Sequence, residues 1–203
     1  MTFSAWEKPA KRLIEEKERK CAMRVISGTA RSRRLKDLPG LETRPTTDKV
    51  KESIFNIIQF DVPGRKVLDL FGGSGQLSIE ALSRGADSAV IVEMNPAAVK
   101  VIRENLRLCD VEDRARVVLS DARAFLAGCR EKFHLIFLDP PYTGPLMDMA
   151  LETITAIDIV SENGIIVCER SLEKEMPELP APYEKGREYR YGKIKLTLYH
   201  RKA

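Results

Sequence analysis

In the stretch VLDLFGGSG, residues 67–75, an apolar run leads directly into a glycine-rich loop. The apolar run predicts a buried strand, and an apolar-periodic helix pattern begins after the loop at Leu77. Glycines permit positive φ values and leave no Cβ atoms on the loop surface, so a ligand can approach the backbone closely. Such a unit is typical of the first ligand-binding turn of an open α/β sheet.

The same alternation of strand and helix continues along the chain. Strands are predicted at residues 67–71, 89–93, 115–119, 135–138 and 164–168, and helices at residues 77–83, 96–108, 122–127 and 146–157. Repeated units of this kind predict a doubly wound, Rossmann-like α/β sheet that is mostly parallel, with helices on both faces. The alternating pattern of residues 188–199 predicts a C-terminal antiparallel hairpin at its edge.

Three regions are expected. Residues 1–22 are highly charged and predict an extension that is either helical or disordered. Residues 23–45 contain a small, basic N-terminal β-hairpin, predicted over residues 24–38. Residues 46–203 form the sheet domain, which opens with a helix that Thr47 or Asp48 caps.

Composition limits the class of protein. The chain has 203 residues, of which 43% are hydrophobic and 32% charged, as in an ordinary soluble domain. Four cysteines without a CxxC pair and only two histidines predict reduced thiols and no metal site. The first 22 residues have no apolar h-region, so no signal peptide is expected, and no apolar run reaches membrane-spanning length. We therefore expect a cytoplasmic monomer without a membrane partner.

The charge is distributed unevenly. The net charge is +4, but residues 1–60 carry +6, residues 185–203 carry +6 and the middle carries −8. Solvated faces explain one such segment, whereas two basic ends favour a polyanionic partner such as nucleic acid. The residues predicted to contact phosphates are Arg24, Arg31, Arg33, Arg34, Arg187, Arg190 and Lys193.

Acidic residues follow the predicted strands. Glu93 ends the second strand, where a carboxylate can accept from ribose hydroxyls, and Asp121 follows the third, where it can accept from an adenine amino group. The loop is not a complete dinucleotide fingerprint, because Ser78 stands where GxGxxG has its third glycine. These positions suit NAD and S-adenosylmethionine equally.

A second motif, Asp139-Pro140-Pro141-Tyr142, follows the fourth predicted strand. It supplies a carboxylate, a backbone carbonyl and an aromatic ring at the sheet edge where such folds bind ligands. These groups suit a planar heterocycle with an exocyclic amine. A sharp turn is the alternative explanation.

Together these motifs resemble those of class I S-adenosylmethionine-dependent amino-methyltransferases. The segments 24–28 (RVISG), 43–56 (TRPTTDKVKESIFN) and 80–86 (EALSRGA) resemble the RsmD family more closely. These bacterial enzymes methylate guanine N2 in small-subunit ribosomal RNA. The resemblance runs from about Met23 to the tail, and Gln76 and Ser78 depart from the family pattern.

The resemblance implies a cofactor, a partner and two sets of site residues. The cofactor is S-adenosylmethionine, and the partner is small-subunit rRNA, free or within the 30S subunit. Asp139 and the Pro140 carbonyl would accept hydrogens of the target amine, while Tyr142 would stack on the base. The cofactor-binding residues would be Arg44, Thr46, Thr47, Asp69, Phe71, Gly73, Gly75, Glu93, Asp121 and Ala122.

Three other functions stay open at this point. A DNA or other RNA adenine-N6 methyltransferase shares the Asp-Pro-Pro-Tyr logic but usually carries a larger recognition region. An NAD-dependent dehydrogenase fits Glu93 but lacks the third glycine and a substrate domain. A non-catalytic RNA-binding module explains the charge and leaves Asp139-Pro140-Pro141-Tyr142 without a role.

Overall fold

The computed structural model describes residues 23–38, 48–141 and 144–203. The predicted extension over residues 1–22 and the end of the predicted N-terminal region, residues 39–45, lie outside these ranges. In chain order the elements are α1 (Asp48–Ile57), β1 (Lys66–Asp69), α2 (Gln76–Ser83), β2 (Ser88–Glu93), α3 (Pro96–Leu108), a 3-10 turn (Glu112–Arg114), β3 (Ala115–Leu119), α4 (Ala122–Gly128), β4 (Phe133–Leu138), α5 (Leu146–Ile157), β5 (Val160–Ser171), β6 (Tyr183–Tyr191) and β7 (Ile194–Arg201).

The seven strands form one sheet in the order β3-β2-β1-β4-β5-β7-β6. Strands β1 to β5 run parallel, and β7 and β6 add an antiparallel hairpin beside β5. The predicted fold class is confirmed. The strand order reverses between β1 and β4, and open α/β sheets bind ligands outside the carboxyl ends of their strands at such a point.

Two apolar layers cover the two faces of the sheet. One contains Ile54 and Phe55 of α1, Leu82 of α2 and Ile102 of α3. The other contains α5 side chains such as Leu151, together with residues from β4 and β5. Successive strand residues alternate between these layers, as the period of a β-strand requires. None of the helices in the described ranges has the length and hydropathy needed to cross a bilayer.

The segment 23–38 folds back on itself more loosely than the predicted hairpin. Arg24 and Arg34 form a single antiparallel bridge, and Val25 N donates to Arg33 O at 2.9 Å. Its apolar side chains, Met23, Val25, Ala30 and Leu35, are buried in the same layer as α1 and α2. Leu35 N also donates to Met23 O and Ser32 N to Val25 O, and packing against the sheet domain adds to these hydrogen bonds.

Strand β5 is longer than the predicted residues 164–168. Polar residues interrupt its apolar run near the start, where the register with β4 shifts between Phe133 and Leu135. At its other end Glu169 and Arg170 continue the strand because they pair with Leu196 and Lys195 of β7. Pairing with a neighbouring strand thus extends β5 beyond its apolar segment.

Candidate active site

The glycine loop lies between β1 and α2 at the carboxyl edge of the sheet. Gly73 and Gly75 have φ values of 54° and 79°, which favour glycine. A Cβ on Gly72 would lie 2.5 Å from Ile91 Cγ2, so packing excludes a side chain there. Among the described residues, a Cβ on Gly73 would meet Phe71 O alone, at 4.0 Å. The chain therefore leaves space beside Gly73, as a bound ligand requires.

Glu93, the last residue of β2, is tied to this loop. Its Oε2 accepts from Gly73 N at 2.9 Å, and its Oε1 accepts from Asn95 N at 2.8 Å. These bonds fix the carboxylate beside the glycines, and each oxygen keeps a second lone pair for a ligand donor. The structure therefore brings Glu93 and the glycine loop together.

Asp69 is the buried acid of the site. Its side chain accepts from Ser78 Oγ through Oδ2 at 3.0 Å, while Oδ1 has no hydrogen-bond partner among the described residues. Burial, followed by repulsion from Asp139 and Glu93, raises the pKa of Asp69 to about 7. A buried acid with an incompletely satisfied carboxyl, close to other acids, fits a ligand that brings positive charge.

Asp139 lies directly after β4, beside the loop that follows β1. Leu70 N donates to Phe137 O at 3.2 Å, so the two strand ends stay adjacent up to the motif. Asp139 is half-buried and Pro140 is buried. The structure therefore brings Asp69, Glu93 and Asp139 to one edge of the sheet. Tyr142 lies outside the described residues.

The remaining predicted cofactor residues have varied surroundings. Asp121 is exposed and caps α4, since its Oδ1 accepts from Ala124 N at 3.0 Å. The third strand ends at Leu119, two residues before Asp121. Ala122 is buried, and the half-buried Phe71 packs against the α5 layer. Arg44, Thr46 and Thr47 lie outside the described ranges.

Two buried side chains that the sequence did not single out attach the N-terminal segment to the site. Asn105 of α3 donates to Ser74 O of the glycine loop at 2.9 Å and to Lys36 O at 3.0 Å, and it accepts from Lys36 N at 2.7 Å. Glu80 of α2 accepts from Ile26 N at 2.7 Å and from Ser27 N at 3.0 Å. The sequence contained one sign of these roles, because each residue is a polar side chain on the apolar face of its helix.

The predicted phosphate-contacting residues are all exposed, and some have protein partners. Arg24 forms a 3.1 Å ion pair with Asp48, and the Arg187 guanidinium lies 5.4 Å from the centre of the Tyr189 ring. Lys193 lies in the β6–β7 turn, next to Ile194, which pairs with Ser171 at the carboxyl end of β5. The exposed set comprises Arg24, Arg31, Arg33, Arg34, Arg187, Arg190 and Lys193. The hairpin turn thus lies at the same sheet edge as Asp139.

The acids at this edge discriminate between the two cofactors. S-adenosylmethionine carries sulfonium and ammonium groups, whereas NAD carries an anionic pyrophosphate. A cationic group beside the buried Asp69 would stabilise the charged form of its carboxyl, whereas a pyrophosphate there would repel it, so Asp69 favours the former cofactor. In the described ranges, no group of three or more His, Cys, Asp or Glu side chains is arranged to hold a metal ion.

Comparison with known proteins agrees with this site. The family model described as conserved hypothetical protein 95 matches residues 23–200. The Escherichia coli protein named "Ribosomal RNA small subunit methyltransferase D" is 36% identical over 183 residues, which cover 89% of this chain and 91% of that protein. The chain belongs to the RsmD family.

Further relatives agree with the assignment to the RsmD family. "Putative rRNA methyltransferase YlbH" from Bacillus subtilis is 41% identical over 184 residues, covering 89% of this chain and all of that protein. A solved structure described as "Putative methyltransferase yhhF from Escherichia coli" superposes with a TM-score of 0.81 at 32% identity, covering 90% of this chain and 99% of that one. The predicted family, a methyltransferase activity and S-adenosylmethionine as the cofactor are thereby confirmed.

Proposed function

We propose that this RsmD-family enzyme methylates the exocyclic N2 amine of a guanine in small-subunit ribosomal RNA. The observation that carries the proposal is the position of Asp139 and Pro140 beside Asp69, the last residue of β1, and the glycine loop that follows it. The names of the relatives from E. coli and B. subtilis support ribosomal RNA as the substrate. The choice of guanine N2 rests on the family resemblance.

Asp139 and Pro140 would prepare the amine for transfer. The lone pair of a guanine amine is delocalised into the ring, so the amine is a weak nucleophile. An Asp139 oxygen and the Pro140 carbonyl would each accept one N–H, favouring the pyramidal amine whose lone pair faces the methyl group. S-adenosylmethionine supplies an electrophilic methyl group when bound. The target base must leave its stack to reach these residues.

Asp69 and Glu93 would hold the cofactor. Glu93 would accept from ribose hydroxyls while Gly73 N and Asn95 N keep its carboxylate in place. Asp69 Oδ1 would face a positively charged group of S-adenosylmethionine, and the hydrogen bond from Ser78 keeps the Asp69 carboxyl oriented. Phe71, Gly75, Asp121, Ala122, Arg44, Thr46 and Thr47 complete the proposed cofactor set, and Tyr142 the proposed base-binding set.

The RNA would lie along the carboxyl edge of the sheet. The β6–β7 turn, which contains Lys193, reaches that edge. Arg190 lies three residues before Lys193, near the end of β6. Phosphate contacts from these cations position RNA without reading its sequence. We also propose a cytoplasmic monomer that acts on free rRNA or on the 30S subunit, with residues 1–22 forming an extension, since the family match begins at residue 23.

The decisive experiment supplies labelled S-adenosylmethionine with small-subunit rRNA, 30S subunits or DNA, each lacking the modification. The modified nucleoside is then identified by mass. We expect N2-methylguanosine from rRNA or 30S subunits and no label in DNA. N6-methyladenine in any substrate would overturn the proposal in favour of the adenine-specific alternative.

A further inference from the structure

A row of three cations crosses the hairpin edge of the sheet. Arg170 of β5 pairs with Lys195 of β7, which pairs in turn with Arg190 of β6. Directly opposed residues of antiparallel strands point to the same face. We call Arg170, Lys195 and Arg190 the cation row. Like charges placed opposite one another destabilise a sheet, so this arrangement needs a compensating anion.

Arg170 is the unusual member of the cation row. It is 4% exposed, and its Nε, Nη1 and Nη2 atoms have no hydrogen-bond partner among the described residues. An arginine side chain stays charged in proteins and carries five donor hydrogens. A buried, unpaired charge is costly to folding. Internal structure therefore does not account for this guanidinium.

The acids near Arg170 are already engaged. Glu188 Oε2 accepts from Lys195 Nζ at 2.9 Å, and Glu188 Oε1 accepts from Thr197 Oγ1 at 3.0 Å. Asp148 Oδ2 accepts from Lys174 Nζ at 2.5 Å. Both acids are electrostatic neighbours of Arg170 and oppose the lowering of its pKa by burial. Each acid nevertheless has a lysine of its own, so the region keeps an excess of positive charge.

The cation row also has a defined position relative to the site. Leu138 of β4 pairs with Cys168 of β5, so Arg170 is level with Pro140, two residues further along. Both residues therefore lie at the carboxyl edge. Arg190 is exposed and the Lys195 side chain is 19% exposed, which makes these two the solvent side of the row.

We propose that the cation row binds a backbone phosphate of the RNA close to the target nucleotide. This proposal rests on the proposed function, because it places the phosphate beside the base held at Asp139 and Pro140. Lys195 and Arg190 would contact the phosphate oxygens. The buried Arg170 would add the third positive charge of the row to the neutralisation of this phosphate.

The test uses the full chain with 30S subunits that lack the modification. Arg170→Met replaces the guanidinium with an apolar side chain. We expect RNA affinity to fall about tenfold at physiological salt, and the slope of log affinity against log salt to fall by about one. S-adenosylmethionine affinity should stay unchanged. The melting temperature should not fall, because the substitution removes an uncompensated buried charge.

Two further variants complete the design. Arg190→Met should lower the salt slope in the same way, and Arg170→Lys should keep the slope while weakening binding less than Arg170→Met. Arg107→Met, at the far end of α3 and paired with Glu112, is the matched arginine control and should bind as wild type. If Arg170→Met fails to fold, Arg170→Lys and Arg190→Met decide the question.

The results separate this proposal from the proposed function. Wild-type affinity and salt slope in Arg170→Met and Arg190→Met would overturn the phosphate site while leaving an N2-methylguanosine product intact. A different modified nucleoside would overturn the proposed function and leave the measured slopes as evidence for the cation row. A lowered melting temperature together with weaker S-adenosylmethionine binding in Arg170→Met would show a structural arginine instead.

Discussion

Asp69 carries the strongest electrostatic perturbation at the residue scale of the site. It is 1% exposed, and burial together with the nearby Asp139 and Glu93 raises its pKa from 3.8 to about 7, although hydrogen bonds from Ser78 and the Phe71 backbone oppose the shift. The protein thus maintains a carboxyl group that is poorly satisfied without a ligand. Buried groups of this kind occur at functional sites because the ligand supplies the missing charge.

The raised pKa of Asp69 predicts a pH-dependent stability in the cofactor-free protein. The native state keeps a proton that the unfolded chain releases near its ordinary pKa. The resulting stabilisation is complete below about pH 4 and is lost as the pH rises through about 7. Urea unfolding across this range should show a falling free energy of unfolding for wild type and a flatter profile for Asp69→Asn. The exposed Asp87→Asn is the control, and equal slopes in all three proteins would contradict the prediction.

Asp139 should matter for transfer and not for cofactor binding. Asp139→Ala removes the proposed acceptor for the target amine, and it also removes a charge that raises the pKa of Asp69. Methyl transfer to 30S subunits should be abolished while S-adenosylmethionine affinity, measured by calorimetry, is kept. Asp61→Ala, near the opposite edge of the sheet, should retain activity. Retained transfer in Asp139→Ala would refute the proposed mechanism.

At the element scale, helices α2 and α3 hold the N-terminal segment against the glycine loop. The segment 23–38 has one bridge of its own, so its position depends on side chains of other elements. Asn105 joins Lys36 to Ser74, and Glu80 joins Ile26 and Ser27 to α2. Ser83 adds a hydroxyl that accepts from Ala30 N at 2.9 Å and donates to Ser27 O at 2.6 Å. The position of the segment 23–38 is therefore coupled to that of the glycine loop.

Asn105 and its neighbour Glu104 provide a matched test of this coupling. Asn105→Ala leaves Lys36 N, Lys36 O and Ser74 O without their partner in a buried region. We expect a loss of about 2–4 kcal/mol in the free energy of unfolding, together with weaker cofactor binding. Glu104→Ala removes only an exposed ion pair with Lys36 and should change neither quantity measurably. Equal effects of the two substitutions would contradict the prediction.

At the scale of the whole molecule, the antiparallel hairpin carries positive charge to the edge that holds the acids of the active site. Strand β5 runs parallel to β4, so its carboxyl end and the β6–β7 turn lie on the same side of the sheet as Asp139. Asp69, Glu93 and Asp139 supply negative charge at the proposed active site, and Arg190 and Lys193 supply positive charge at the same edge of the sheet. One edge can therefore attract a cationic cofactor and a polyanionic substrate.

The hairpin turn should affect substrate binding alone. Combined Arg190→Ala and Lys193→Ala substitutions remove two exposed cations from the edge. We expect KM for 30S subunits to rise, more steeply at higher salt, while S-adenosylmethionine affinity and the melting temperature stay unchanged. The measurement is steady-state methylation at two salt concentrations, with Arg107→Ala and Lys100→Ala combined as the control. An unchanged KM would show that Arg190 and Lys193 do not contribute to binding of the 30S subunit.

Much of the fold was predictable because its strands are apolar runs separated by helices of clear period. The predicted third strand, residues 115–119, and the helices over residues 96–108 and 146–157 agree with the observed elements. The polar part of β5 was not predictable, because Glu169 and Arg170 are in a strand only through their pairing with β7. Asp121 follows the third strand as expected, and the structure adds that it caps α4, since its Oδ1 accepts from Ala124 N. Its contact with an adenine amino group stays a prediction.

The sequence by itself determined the order of strands and helices, the glycine loop and the acids that follow β1, β2 and β4, because these depend on local periodicity and on glycine. The tertiary structure alone decided what those residues do to one another. Burial and the neighbouring acids set the pKa of Asp69, and long-range hydrogen bonds assigned Ser78 and Asn105 their roles. Strand pairing placed Arg170 in one row with Lys195 and Arg190. Such effects depend on distances between residues far apart in the chain, which local periodicity does not contain.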